Sequence, residues 1–313
     1  METHGTLAAV AERLASVRGF TEDIASIERA LRRLRGRGQL AGGTWGARAL
    51  ATFGLPGAAD ARARWMGSYH SRFTDLPVPL CQDLVRLWDR PPISEAPASR
   101  AWLALAHATN ALRSADMSGA AVHLRRARAS FSLAPPEARI EILLAEAFVA
   151  SGTAKERVAS LLAEIEPLFE QEMPADDRAC LRARWIDQRA YELNKQRDDA
   201  PADLAMSEEL YRALPARDVP AFALCRRANG LAYARWKLGA RDEAAVFARE
   251  ACRHAGDGGH LRLRAMSLSM LGRVLGKTPE GDAARARALE IGQSLEDEAL
   301  RMRFRGRPNS GSR

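Results

Sequence analysis

The chain is predicted to be all-α: a right-handed solenoid of helical hairpins with a small helical N-terminal domain. Three observations predict this. Alanine, the best helix former, fills 60 of 313 positions, while Val, Ile and Thr together fill only 27. Apolar residues recur at spacings of three and four, with no sustained period-two alternation. Helix-pair patterns then repeat at a period of roughly 34–45 residues, as stacked hairpins require. The length suggests about two domains or one extended array.

The first strong helix is expected after Thr21, a suitable cap with Glu22 and Asp23 in the first turn, where the helix dipole favours acids. Ile24, Ile27, Leu31 and Leu34 form its apolar stripe. The same helix carries Arg29, Arg32, Arg33, Arg35 and Arg37, and Gly36, Gly38, Gly42 and Gly43 end it. A second helix fits Trp45 to Phe53, a turn fits Gly54-Leu55-Pro56-Gly57, and a third helix with Arg62 and Arg64 fits Ala58 to Met66. This order resembles a helix-turn-helix. The resemblance implies that Ala58 to Trp65 enters the major groove of DNA. Arg32, Arg33, Arg35 and Arg37 would then hold phosphates. Two departures stand out: the stretch from Gly54 to Trp65 is long for the motif, and Pro56 replaces the customary Ser or Thr. A helical cap on the array accounts for the same pattern.

Trp65 to Arg90 is the densest aromatic stretch, with Trp65, Tyr69, His70, Phe73 and Trp88. It is expected to pack the N-terminal helices onto the first hairpin, and His70 and Arg72 are the polar groups a pocket there would offer. Pro77, Pro79, Pro91, Pro92 and Pro97 then break the chain, because proline lacks an N–H and clashes inside a helix. The expected division is a helical N-terminal region over 1–90, a Pro-rich linker over 91–98, a repeat array over 99–292 and a basic, partly disordered tail over 293–313.

Within the array, Leu231-Ala232, Gly239, Ala244 and Ala251 are echoed some forty residues later by Leu271-Gly272, Ala284 and Ala288. Gly152 marks an earlier turn. Small residues at these positions let paired helices approach closely. The pattern resembles the tetratricopeptide repeat, with Leu271-Gly272 and Leu231-Ala232 as the first-helix pair, Gly239 and Gly152 at turns, and Ala244 with Ala251 in the second helix. The spacing is nearer forty than thirty-four, and the aromatic positions are mostly Ala or Leu. Five hairpins are expected: 99–131, 137–171, 175–214, 218–255 and 259–292. The resemblance implies that first helices line a groove that binds a peptide or partner helix. Asn110, Gln188, Arg189, Arg226, Asn229, Arg235 and Arg273 are the candidate contacts. Arg226 and Asn229 lie three apart on one helix face and could clamp a peptide backbone or carboxylate. Trp102, Trp185 and Trp236 are expected to pack between helices.

The net charge is +8. Residues 1–90 hold 13 basic and 9 acidic groups, residues 91–298 hold 29 and 30, and residues 299–313 hold five Arg and no acid. The excess therefore sits at the two ends, which argues against nucleic acid lying along the array. In the tail, Arg305-Gly306-Arg307-Pro308 resembles the core of an AT-hook, whose Arg-Gly-Arg enters a narrow minor groove.

No phosphate-binding loop, dinucleotide fingerprint or His-Glu-x-x-His appears. Cys225, Cys252, His254 and His260 could hold zinc, but their spacing matches no common site. The pairs Asp176-Asp177 and Asp198-Asp199 read as helix caps. Four scattered cysteines, no secretion signal and no run of about 18 apolar residues lead to a cytoplasmic expectation, without disulfides or a membrane partner. The expected function is a non-catalytic protein- or peptide-binding scaffold without metal or cofactor. The alternative is a DNA-binding transcriptional regulator with a repeat-type sensor domain.

Overall fold

The structure, a computed structural model, describes residues 6–17, 21–36, 43–53, 57–91, 93–196 and 200–305. Among these residues the chain is all-helical, with sixteen α-helices, a few 3-10 turns and no strand. Among the described residues, no helix is long and apolar enough to cross a membrane.

Helices α1 (Leu7–Ala15), α2 (Ile24–Gly36) and α3 (Gly43–Phe53) pack around Ala11, Leu14, Ile27 and Leu31, with Trp45 and Phe53 closing the cluster. The cap of α2 is Asp23 rather than Thr21. Its Oδ1 accepts the Ser26 N–H at 2.8 Å. The helix begins at Ile24, so Asp23 holds the flanking position from which a short carboxylate reaches the free amides.

Helix α4 (Gly57–Gly67) packs on α6 (Pro97–Arg113), and α5 (Val78–Trp88) joins the same core. Ala63 and Met66 share that core with Phe73, Cys81, Val85, Trp102 and Leu105. Contact is close at Gly67, where a Cβ would fall 2.8 Å from the Trp102 carbonyl carbon. Both helices therefore belong with the array, not with α1–α3.

Five helix pairs make up the array. They are α6 with α7 (Met117–Arg128), α8 (Pro136–Thr153) with α9 (Val158–Ile165), α10 (Ala175–Gln196) with α11 (Pro201–Arg212), α12 (Ala221–Lys237) with α13 (Arg241–Asp257), and α14 (Leu261–Leu275) with α15 (Pro279–Ser294). Each turn has a local cause. Asp116 caps α7 through the Gly119 N–H at 2.8 Å, Thr278 caps α15, and Gly239 leaves α12 at φ +87°. Pro136, Pro201 and Pro279 open helices where no N–H is needed. The fully buried Ala232, Ala244 and Ala248 bring α12 and α13 together.

Each first helix also packs on the next, from α6 through α8, α10 and α12 to α14. The last helix, α16 (Glu298–Arg305), packs on α15 and touches α6. The two ends of the array therefore meet. The Val78 N–H donates to the Leu295 carbonyl at 2.9 Å, and Arg113 pairs with Asp297 at 3.0 Å.

Candidate functional site

The segment between α4 and α5 is a strap across the face formed by the first helices. Ser71 shapes it. Its hydroxyl donates to the Trp65 carbonyl at 2.6 Å and caps the 3-10 turn Arg72–Asp75 by accepting the Phe73 N–H at 3.2 Å. Phe73 is fully buried against Trp65, ring centroids 5.1 Å apart. That anchor projects Tyr69 and His70 onto α8, α10 and α12, well beyond the first hairpin.

Tyr69, His70, Arg72 and Asp75 of the strap each find partners on the array. The Tyr69 N–H donates to Glu141 Oε1 at 3.0 Å, and the other Glu141 oxygen accepts from Arg184. His70 Nε2 meets Asp177 Oδ1 at 2.7 Å, and its Nδ1 lies 3.5 Å from Glu141. Asp177 also receives Arg64, which lies 3.3 Å from Glu137. Asp75 accepts the Arg262 N–H at 2.8 Å, and Arg72 donates to the Gly258 carbonyl at 3.3 Å. Phe222 presents its ring to the edges of Tyr69, His70 and His260.

Three guanidinium groups surround the Tyr69 ring. Arg184 stacks 4.2 Å from its centroid, Arg226 donates to the hydroxyl at 3.4 Å, and Arg262 donates to it as well. Burial alone would raise the phenol pKa. Arg262, Arg226 and Arg184 together outweigh it and bring the pKa down to about 8. Arg226 is in turn held by Asp187 at 2.6 Å, and Arg262 by Asp297 at 2.9 Å.

His70 shows the same competition. Burial favours its neutral form, but hydrogen bonds to Asp177 and Glu141 and their charges prevail, so its pKa is raised. The folded state therefore holds the proton more tightly than the unfolded chain. That stabilisation is complete below about 6.5, the unfolded value, and is lost as pH rises through the folded value. Urea midpoints of the protein and of His70→Gln, compared from pH 5.5 to 9, are expected to converge as pH rises. A constant gap would contradict the ion-paired state of this imidazole.

No protein-family model matches this chain, and no curated protein sequence matches it at a significant level. Function must be read from the site.

The expected groove residues fall into distinct places. Arg226 meets the strap from α12 through the Tyr69 hydroxyl, and Asn229 Oδ1, three residues on, is buried without a hydrogen-bond partner. Gln188 is half-buried on α10, and Arg273 is exposed on α14. Arg189 stacks 4.7 Å from the ring of Trp185, which donates to the Leu162 carbonyl at 2.9 Å. Arg235 pairs with Glu208 at 2.6 Å and Glu243 at 3.5 Å, joining α12 to α11 and α13. Asn110 is buried to 3% exposure, so the native packing closes it to a partner.

Of the DNA-binding candidates, Arg32, Arg33 and Arg35 are exposed on α2, with Arg32 paired to Glu28 at 2.6 Å. Arg62 is exposed between the rings of Trp65 and Trp88. Arg64 is tied to Asp177 and Glu137, and α4 buries Ala59, Ala63 and Met66 against the array. That face of α4 is therefore not free to enter a groove. Arg37, Arg307, the Arg305 side chain, the turn 54–56 and the pair Asp198-Asp199 lie outside the described residues.

Among the described residues, no group of three or more His, Cys, Asp or Glu is arranged to hold a metal ion. Cys225 meets Ser267 at 3.4 Å, His254 pairs with Glu250, and His260 faces Asp75 and Phe222. All four cysteines are free thiols. A cleft of about 660 Å³ lies elsewhere, between α7, α8 and α9, where Glu146 and Glu164 neutralise Arg128.

Glu141, Asp177, Arg184, Asp187 and Arg262 were not among the expected site residues. One signal was present: Glu141 is a single acid among Ile140, Ile142, Leu143 and Leu144. A charge in such a run needs a buried partner. Asp177 was masked by its plausibility as a cap.

Proposed function

We propose that the chain is a non-catalytic scaffold whose tetratricopeptide-like array, a right-handed α-solenoid, binds a protein or peptide segment on its inner face. One observation carries the proposal. On α8, α10, α12 and α14 the strap's contacts fall in the N-terminal halves, at Glu141, Asp177, Arg184, Arg226 and Arg262. Seven residues on from Glu141 and Arg184, two helical turns along the same faces, stand Phe148 at 46% and Tyr191 at 41% exposure. Gln188, one turn before Tyr191 on α10, is a half-buried polar group on that side. Large aromatic side chains with this much exposed surface on the face of the first helices, near a group that can hydrogen-bond, have the composition of a binding hot spot.

Partners recovered by affinity purification from the native host, after nuclease treatment, provide the test. Phe148→Ala is expected to weaken capture at least about tenfold without lowering the melting temperature. Full capture by this variant and by Asn229→Ala would remove the inner face from the mechanism.

A second reading, a DNA-binding regulator, is supported by α2 alone. There Arg33 and Arg35 are exposed, with no ion-pair partner among the described residues. It requires a mobility shift at low salt that weakens steeply as salt rises and is lost in Arg32→Ala with Arg33→Ala. A shift unchanged by that variant, or none, would count against it.

A further inference from the structure

The cleft of about 660 Å³ between α7, α8 and α9 is lined by three guanidinium groups and two carboxylates. Arg128 of α7 reaches across it. Its Nη2 meets Glu164 of α9 at 2.9 Å, its Nη1 lies 3.8 Å from Glu146 of α8, and its guanidinium stacks 4.3 Å from the Phe131 ring. The contact at 3.8 Å is an ion pair without a hydrogen bond, and Arg128 Nη1 is buried with no acceptor. Both carboxylates are therefore committed to Arg128. Burial also pushes the Glu146 pKa up, against the pull of Arg128 and Arg157, so this group holds its charge less firmly than an exposed glutamate.

Arg125 and Arg157 line the same cleft, exposed and with no ion-pair partner among the described residues. Arg125 stands on α7, and Arg157 ends the 3-10 turn Lys155–Arg157 that leads into α9, so the two come from different walls. Two unmatched cations lining one concavity are an arrangement that an anion relieves.

We infer that this cleft binds a small organic phosphate monoester, with its phosphoryl group between Arg125 and Arg157. A phosphoryl group at pH 7 approaches two negative charges and carries three acceptor oxygens, enough to serve both guanidinium forks. Its tetrahedral oxygens point toward two walls at once, whereas a planar carboxylate meets one fork in its own plane. The volume sets the size of the ligand. Inorganic phosphate would leave most of the cleft empty, and clefts of roughly 300–1,000 Å³ take whole small molecules. Ala129 and Leu161 supply apolar surface for the organic part. The inference goes beyond the scaffold reading, because Glu146 and Phe148 are two residues apart on α8 and residues so spaced do not share a helix face.

The test is isothermal titration of the full chain at low ionic strength with AMP, with glycerol 3-phosphate and, as a dicarboxylate, with succinate. Saturable binding of either monoester, weakened at least about tenfold in Arg125→Ala with Arg157→Ala, supports the inference. Both side chains are exposed, so that variant is expected to keep the melting temperature of the parent chain. Arg33→Ala with Arg35→Ala removes two exposed arginines from α2 and is expected to bind as the parent does. Added salt is expected to weaken binding. Three results overturn the inference: no binding of either monoester, equal binding by the Arg125→Ala, Arg157→Ala variant, or succinate binding as tight as that of the monoesters. An equal loss in the α2 variant overturns it as well, since diffuse surface charge would then be responsible. Phe148→Ala is expected to keep monoester binding, so failure of partner capture and failure of this site are read separately.

Discussion

Glu141→Ala is expected to lower the stability of this protein by about 3–5 kcal/mol, the cost of breaking a buried ion pair from one side. Glu141 is 2% exposed and joins three groups: the Tyr69 amide, Arg184 and His70. Its removal leaves a buried guanidinium with no carboxylate and a strap amide with no acceptor. Equilibrium urea denaturation would measure the loss. Glu141→Gln keeps the shape and an acceptor for Tyr69, so it is expected to lose less. Glu141→Leu with Arg184→Leu removes both charges and is expected to recover much of the single-mutant loss, because matched removal of a buried pair is often nearly neutral. A loss below about 1 kcal/mol for the alanine variant would mean that the strap is held by apolar packing instead. Burial pushes the Glu141 pKa up, but Arg184 and His70 prevail and hold it down. Its contribution is therefore present above the unfolded value of about 4.3 and is lost as pH falls through the folded value.

Arg113→Ala is expected to cost a similar amount, about 3–5 kcal/mol, and to act at the junction of the two ends. Arg113 is 1% exposed and Asp297 is fully buried. The guanidinium donates to Asp297 at 3.0 Å, to the Leu76 carbonyl at 2.7 Å and to Cys81 Sγ at 3.3 Å. One side chain thus ties the first array helix to the strap, to α5 and to the C-terminal segment. Asp297 itself accepts the Leu300 N–H at 3.0 Å and so starts α16. Hydrogen exchange is expected to quicken first in residues 298–304 and 78–85, before global unfolding. Arg113→Lys is expected to fail as well, because a single ammonium cannot serve three acceptors in a fork. Unchanged exchange at α16 in Arg113→Ala would disprove the junction role.

Much of the secondary structure is legible because its causes are local. Asp116 and Thr278 reach amides three residues on, Gly239 adopts a conformation other residues resist, and prolines open helices wherever their missing N–H is harmless. The error at Thr21 has the same local scale: two flanking residues compete for one cap, and the start at Ile24 favours Asp23. Packing is less legible. Helix α4 looks from its neighbours like part of a helix-turn-helix, yet it rests on α6 because Gly67 lets the backbones approach at Trp102.

The site lies at the far end of this scale. Arg226 could be singled out as a polar group on a first helix, but its partners could not. Tyr69 meets Arg226 across 157 positions and Arg262 across 193, and Arg113 meets Asp297 across 184. Helix formation depends on propensity, caps and periodicity within a few residues, and these can be read from this chain's order of Ala, Gly, Pro and Asp. Which charge neutralises which depends on distance and burial. Those are properties of the folded arrangement alone: a carboxylate such as Asp177 reads as a cap until the strap brings His70 and Arg64 to it.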